Sequence, residues 1–119
     1  MKTEEIAKRL VALCREAQWE TAQRELFSQD VVSIEPYADQ GFEKETKGLP
    51  AIIAKGQKFG QMIEKVHSLE VSDPLCAANT FTCRMAMDVT MKGQPRMQMA
   101  EICLYAVKDG KVISEQFFT

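Results

Sequence analysis

The sequence predicts an α+β fold, in which helices of the N-terminal half pack across a strongly curved, mostly antiparallel sheet and enclose a cone-shaped pocket. Apolar residues recur first at the spacing of a helix face and, from His67 onward, at every second position, as in strands. In the first half, a helix that ends near Leu26 runs into a short strand that stops at Glu35-Pro36. Near the C-terminus, Asp109-Gly110 is a tight-turn sequence between two strands. Helices followed by a hairpin-rich sheet are typical of this architecture.

Three helices are predicted in the first half of the chain. Thr3 is placed as the N-cap of the first helix, ahead of Glu4 and Glu5, whose charges favour a helix N-terminus. Pro50 is placed at the first position of the third helix. The apolar faces are expected to consist of Ile6, Leu10, Leu13 and Ala17 in the first helix, Trp19, Ala22 and Leu26 in the second, and Ile52, Phe59, Met62, Ile63 and Val66 in the third.

Strands are predicted where β-branched residues cluster or where apolar and polar residues alternate. The predicted strands cover 31–35, a segment that starts at His67, 80–91, 97–107 and 112–118. Alternation in the 80–91 strand indicates one buried face and one wetter face. The polar segment 37–48 is expected to be a loop over the mouth of the pocket.

Length and composition predict one domain, 1–119, of ordinary globular type. A formal net charge of -2 favours neither nucleic acid nor an anionic membrane as a partner. Because no signal-peptide pattern and no membrane-spanning apolar run is present, a cytoplasmic location is predicted.

No phosphate loop, nucleotide fingerprint or nucleophile pattern is found, and no cofactor is predicted. Without Cys-x-x-Cys spacing, the cysteines are predicted to be free, buried thiols: Cys14, Cys76, Cys83 and Cys103.

The order and spacing of these motifs resemble those of the nuclear-transport-factor-2-like superfamily, above all its SnoaL-like branch, which is related to polyketide cyclases and ketosteroid isomerase. The matching features are the amphipathic first helix, Asp30 before a strand, Glu35-Pro36, the third helix after Gly48, and the segment 109–113. The resemblance covers essentially the whole chain. It implies a cystatin-like cone of three helices on a curved sheet, commonly assembled as a homodimer. Such folds host isomerases, dehydratases, cyclases, hydrolases and non-catalytic binders, so the activity stays open.

Glu35 is the first candidate for a catalytic residue. A carboxylate at the end of a mostly apolar strand, facing an apolar cavity, is a candidate general acid or base near neutral pH. The resemblance to ketosteroid isomerase places Glu35 at the position of that family's general base. The isomerase's oxyanion-binding tyrosine would fall near Leu10, and its protonated aspartate near Ile102 or Cys103. Because neither position offers an equivalent donor, steroid isomerase chemistry is not expected. The alternative is that Glu35 has no catalytic role and either points into solvent at the end of its strand or caps a neighbouring loop.

The face occupied by Glu101, the second candidate, depends on the hairpin that precedes it. A three-residue loop at 92–94 pairs Met85 with Glu101 and turns the carboxylate into the pocket. A two-residue loop pairs Arg84 with Cys103 and places Glu101 on the outer face, within reach of a salt bridge to Arg84. The first register is favoured because it clusters methionines on one wall.

The remaining candidates come from position and residue type. His67, the only histidine, is a possible third catalytic residue if it meets Glu35 or Glu101 in space, although a lone histidine is more often structural. Glu115 is expected to share an inward face with Ile113 and Phe117. No spacing is typical of a metal site, and none is predicted. The candidate ligand-binding residues form a mainly apolar wall: Tyr37, Phe59, Met62, Met85, Met87, Met99, Cys103, Glu115 and Phe117.

The leading hypothesis is a homodimeric domain that binds a small, largely apolar molecule and performs proton transfer of the isomerase or cyclase type. The alternative is a non-catalytic ligand-binding or dimerisation module of the same fold. A water-activating hydrolase or dehydratase comes third, because epoxide-hydrolysing relatives need an arginine between two acids and Arg84 is expected to face outward. The homodimer is predicted to form through a sheet face of small, hydroxyl and aliphatic residues, namely Thr80, Thr82, Ala86, Ile102, Leu104 and Ala106.

Overall fold

The computed structural model describes residues 1–39 and 41–119. The helices in these residues are α1 (Thr3–Arg15), α2 (Trp19–Leu26) and α3 (Leu49–Met62). The strands are β1 (Phe27–Ile34), β2 (Glu45–Lys47), β3 (Ile63–Val71), β4 (Leu75–Ala77), β5 (Thr80–Met91), β6 (Arg96–Lys108) and β7 (Lys111–Phe118).

A single sheet contains all of these strands in the spatial order β2-β1-β7-β6-β5-β3, and β4 adds to β5. The β1–β7 pair is parallel, whereas the other pairs are antiparallel. The predicted α+β fold, with three helices and a large, mostly antiparallel sheet, is therefore confirmed.

The core lies between the helices and one face of the sheet. We call this the inner face; on β5 and β6 it carries the buried residues Phe81, Cys83, Cys103 and Tyr105. The outer face of the same strands carries the alternate residues, such as Ile102. The helices contribute apolar residues that are nearly or fully inaccessible to solvent, each stabilising the fold by roughly 1.5–3 kcal/mol. They include Ile6, Leu10, Val11, Leu26 and Ile52.

Several boundaries differ from the prediction. The N-cap of α1 is Lys2 rather than Thr3, and the Lys2 backbone N–H donates to Glu5 Oε1 at 2.8 Å. The α3 helix ends at Met62, so Ile63 and Val66 belong to β3 instead of a helix face. Because β-branched residues tolerate a strand well, the change of period comes earlier than His67.

Short strands account for the other differences. The segment predicted as a loop over the pocket contains β2, which pairs with β1 through Val32 and Lys47. The three-residue strand β4 was also not predicted. Strands this short carry too few residues for alternation to be recognised in the sequence.

The β5–β6 hairpin has the favoured register, in which Met85 is paired with Glu101. Glu101 therefore lies on the inner face, and Arg84 lies on the outer face and is exposed. The register of the β6–β7 pair shifts between Ala106 and Val107 of β6. This irregularity separates Ile113, which is 37% exposed, from the buried Glu115, so the expected shared face of these two residues is wrong.

Candidate functional site

The end of β1 supplies the first two polar residues of the site. Side chains on a strand alternate, so Ser33 and Glu35, which directly follows the strand, continue the inward face of Val31. Ser33 is completely buried, and Glu35 is half-buried. The Glu35 backbone N–H donates to the carbonyl oxygen of Lys44 at 2.7 Å, which holds this residue beside β2.

Lys55 on α3 contacts both of these residues. Among the described residues of α3, it is the one charged side chain that does so. Its Nζ donates to Ser33 Oγ at 2.7 Å and lies 3.1 Å from Glu35 Oε2. The exposed fractions of the Lys55 and Glu35 side chains are 17% and 27%, so the ion pair is largely shielded from water. Nζ also lies 5.9 Å from the centre of the Phe117 ring. The contacts fix the ammonium between helix and sheet.

Glu115 on β7 completes a hydrogen-bonded chain. Ser33 Oγ donates to Glu115 Oε2 at 2.7 Å while accepting from Lys55. Burial raises the pKa of the Glu115 carboxyl to about 7, and the Glu35 charge acts in the same direction. The Ser33 hydrogen bond and the Lys55 ammonium oppose this rise. A hydroxyl thus connects an ammonium to an enclosed carboxyl group.

Glu101 on β6 is the third carboxyl of this group. Burial, followed by the charges of Glu35 and Glu115, raises its pKa to about 7, whereas Lys55 opposes the rise. Burial and the neighbouring carboxyls thus keep both the neutral and the charged form of Glu101 and Glu115 populated near pH 7. We call the five residues Ser33, Glu35, Lys55, Glu101 and Glu115 the carboxylate cluster.

Cys103 lies beside the carboxylate cluster. Its Sγ is 3.9 Å from Glu101 Oε1, a distance that sulfur allows for a weak hydrogen bond. A hydrogen bond with Cys83, together with burial, raises the pKa of the Cys103 thiol, so the thiol stays protonated. Next to it, the Tyr105 ring stacks on Phe81 with 4.8 Å between ring centres. The cysteines are free, as predicted, although Cys76 is only half-buried.

His67 is not placed with the candidate glutamates. Its Nε2 lies 2.8 Å from Thr90 Oγ1. The same region of β5 carries Asp88, which forms a two-pronged ion pair with Arg96 at 2.9 and 2.7 Å. The Arg96 hydrogen bond holds the pKa of Asp88 below its usual value, and His67 adds to that effect. The described contacts of His67 are therefore with β5, and they do not support its predicted partnership with Glu35 or Glu101.

The candidate ligand-binding residues differ in their exposure to solvent, although Met87 is paired with Met99 and Cys103 with Phe117 on neighbouring strands. Cys103 and Glu115 are buried, whereas Phe59, Met62, Met85, Met87 and Phe117 are half-buried. Met99 and Tyr37 are 39% and 58% exposed. Two surface cavities, of about 320 and 480 Å³, are lined by other residues, and only the smaller one touches the carboxylate cluster, through Lys55. The methionine-lined pocket stays a prediction.

The sequence did not identify Ser33 and Lys55 as site residues because each is unremarkable alone. Ser33 precedes Glu35 by two positions and therefore had to share its strand face. Lys55 follows Ile52 by three and precedes Phe59 by four, which puts a charge on the apolar face of α3. A lysine on such a face indicates a buried counter-charge.

No group of three His, Cys, Asp or Glu side chains in 1–39 and 41–119 is arranged to hold a metal ion.

Comparison with known proteins gives a match along the whole chain. The family model of the SnoaL-like domain matches residues 1–119. A SnoaL-like polyketide cyclase candidate from Mesorhizobium loti is 31% identical, with a TM-score of 0.90 and 100% coverage of both chains. None of the proteins of curated function matches the chain.

More distant structures share the fold. A second SnoaL-like polyketide cyclase candidate, from Jannaschia sp. CCS1, is 18% identical with a TM-score of 0.77, covering 98% of this chain and 85% of its own. A protein with a ketosteroid isomerase-like fold from Catenulispora acidiphila, solved with trimethylamine, is 18% identical with a TM-score of 0.75, covering 99% of this chain and 87% of its own. The whole-chain family match and the 31% identity show that this chain belongs to the SnoaL-like family.

Proposed function

We propose that this chain binds a small, largely apolar molecule and catalyses a proton transfer on it, with Glu101 as the group that exchanges the proton. The observation that carries the proposal is the carboxylate cluster, in which one ammonium contacts Glu35 and acts electrostatically on Glu101 and Glu115. The family, which includes cyclases and isomerases, supports this class of chemistry.

Glu101 is suited to exchange a proton at neutral pH. With a pKa of about 7, both its acidic and its basic form are well populated, which is the optimum for a general acid–base catalyst. Glu35, the first candidate from the sequence, is retained as a second acid–base group at the edge of the cluster. Its ion pair with Lys55 places it in direct contact with the only ammonium of the cluster.

Lys55 supplies the donor that the comparison with ketosteroid isomerase lacked. An ammonium has three hydrogens. Two contacts, to Ser33 and Glu35, leave the third hydrogen for an oxygen of the bound molecule. Negative charge that develops on this oxygen during proton removal would be stabilised by a fixed, shielded cation, which is usually a large contribution to such catalysis.

A titration of the side-chain carboxyl carbons by nuclear magnetic resonance tests the role of Glu101 without a substrate. We expect the Glu101 signal to titrate with a midpoint of about 7. The Glu101→Gln variant, which lacks this carboxyl, identifies the signal. A Glu101 midpoint near the ordinary value of about 4.3 would contradict the proposal.

With a substrate in hand, Glu101→Gln is expected to lower turnover by ~100-fold or more, which is the usual contribution of a general base. Glutamine keeps the shape of the side chain and removes its titration. Glu70→Gln, on an exposed part of the sheet, should leave turnover unchanged. Equal turnover of the Glu101 and Glu70 variants would remove Glu101 from the mechanism.

The outer face of the sheet supports the second candidate, a dimerisation module, and is compatible with the first. Ile102, Leu104 and Phe118 are 44%, 39% and 45% exposed, and they occupy neighbouring positions on paired strands. Arg84, which the hydrolase hypothesis needs beside two acids, is also on this face, 3.9 Å from Glu70. No observation therefore favours the hydrolase.

The cytoplasmic location stays a prediction. Among the described helices, none has the length and apolar character of a membrane span.

We expect a homodimer through the outer face, with a mass by light scattering at micromolar concentration of twice the 13.4 kDa of the chain. Leu104→Lys should shift the protein toward monomer, because two ammonium groups would be buried near the symmetry axis. Gln61→Lys is the control, since Gln61 is exposed on α3, on the opposite side of the sheet from the outer face. A monomeric mass of the unmodified chain would exclude this interface.

A further inference from the structure

A cavity of about 320 Å³ lies between α3 and the segment that precedes and includes β2. We call it the α3 cavity. Lys55 lines it and also belongs to the carboxylate cluster, so this residue is common to the cavity and the cluster. The other lining residues are Gly41, Phe42, Glu43, Thr46, Ala51, Ala54 and Lys58.

Contacts fix a second ammonium beside this cavity. Lys58 Nζ donates to the carbonyl oxygen of Gly41 at 3.0 Å and lies 4.6 Å from the centre of the Phe42 ring. The Phe42 ring is itself held in an edge-to-face contact with Phe59, with 6.5 Å between ring centres. A lysine ammonium has three donor hydrogens, and one is used by Gly41, so donors remain for a ligand.

We infer that the α3 cavity binds a small organic anion, a carboxylate attached to an apolar or aromatic body. The carboxylate would lie between Lys55 and Lys58, where charge-assisted hydrogen bonds are strongest. Its apolar body would contact the Phe42 ring and the small side chains of Ala51 and Ala54. The volume suits a ligand of about the size of a single substituted ring. Glu43, also in the lining, opposes an anion and gives the site a built-in control.

Binding of an anion at Lys55 is expected to change the titration of the carboxylate cluster. The groups that face Lys55 are Ser33 and Glu35 from β1 and its end, Glu101 from β6 and Glu115 from β7. The Lys55 charge lowers the pKa of both Glu101 and Glu115. A carboxylate next to Lys55 offsets that charge, so both pKa values should rise when the site is filled. The anion would use the same Lys55 hydrogen that the proposed function assigns to a substrate oxygen, but its binding can be measured without catalysis.

Benzoate is the probe and benzamide, its neutral analogue, is the matched ligand control. Amide signals of Phe42 and Thr46 should shift with benzoate and should shift much less with benzamide at equal concentration. At saturating benzoate, the midpoint of the Glu101 carboxyl titration should move upward from its value in the free protein. The free-protein midpoint tests the proposed proton transfer separately, because it is measured without a ligand.

Two substitutions at the rim should act in opposite directions. Lys58→Met removes one ammonium and is expected to weaken benzoate roughly tenfold, the value of one charge-assisted hydrogen bond. Glu43→Gln removes the opposing charge and should tighten it. Lys65→Met, on exposed β3 outside the lining, should change nothing. Lys58 and Glu43 are exposed, so both variants should fold. Equal binding of benzoate and benzamide, or an unchanged affinity in Lys58→Met, would overturn the inference.

Discussion

Replacing Glu115 by glutamine is expected to stabilise the protein at pH 8 by up to about 3 kcal/mol while leaving its stability at pH 4 nearly unchanged. Glu115 is 5% exposed, and its pKa is raised to about 7 from an ordinary value of 4.5. At pH 8 the folded protein must therefore hold a charge in a site that favours the neutral acid. Glutamine cannot ionise, and its carbonyl oxygen can still accept the hydrogen bond from Ser33.

The sign follows from proton binding. Between pH 4.5 and about 7, the folded chain holds a proton on Glu115 that the unfolded chain has already released. The unfolded state binds fewer protons in this window, so the free energy of unfolding falls as the pH rises. The stabilisation is fully present below about 4.5, falls progressively as the pH rises, and is lost once the pH exceeds about 7. Glu101 contributes in the same direction, because its pKa is also raised to about 7.

Urea unfolding from pH 4 to pH 8 measures the effect. The unmodified chain should lose stability across this range, and Glu115→Gln should flatten the curve. Glu64→Gln is the control, because Glu64 is exposed on β3 and should leave the slope as it is. Parallel curves for the unmodified chain and Glu115→Gln would show that Glu115 ionises in the folded state as it does in water.

The sequence was a good guide to the fold because the decisive signals are local. The helical spacing of Ile6 and Leu10, the Asp109-Gly110 turn and the alternation along β5 each depend on a few neighbouring residues. The turn has positive φ at both residues, 52° at Asp109 and 76° at Gly110, as the type I′ turn of a two-residue hairpin requires. The change from α3 to β3 was placed too late because Ile63 and Val66 suit either pattern.

The site was harder to predict because it depends on contacts between residues far apart in the chain. Ser33 and Glu115 are 82 positions apart, and Lys55 reaches Ser33 from 22 positions away. Glu101 was found because hairpin register is a local property, whereas the ion pair of Lys55 with Glu35 depends on how α3 crosses β1. The irregularity in β7 also moved Glu115 away from the face of Ile113. Neither effect has a signal in the spacing of apolar residues.

Replacing Lys55 by methionine is expected to destabilise the protein by on the order of 3 kcal/mol near pH 8, the cost of removing one partner of a shielded ion pair. Methionine keeps the length and the apolar stem of the side chain. It leaves Glu35 without its counter-charge and removes the donor to Ser33. It also removes a positive charge that lowers the pKa of both Glu101 and Glu115.

The loss should depend on pH and on Glu35. Without Lys55 the pKa values of Glu101 and Glu115 rise further above 4.5, so the folded chain retains protons to a higher pH than before and loses more stability as the pH rises. At pH 4 Glu101 and Glu115 are largely neutral in both the folded and the unfolded state, so the part of the loss that comes from these two carboxyls should be small. Adding Glu35→Gln to Lys55→Met should recover part of the stability at pH 8, because the uncompensated charge is gone.

Urea unfolding of the two single variants and the double variant at pH 4 and pH 8 measures these differences. Equal losses at both pH values, with no recovery in the double variant, would mean that Lys55 stabilises the fold by packing alone and that the carboxylate cluster does not act as one electrostatic unit.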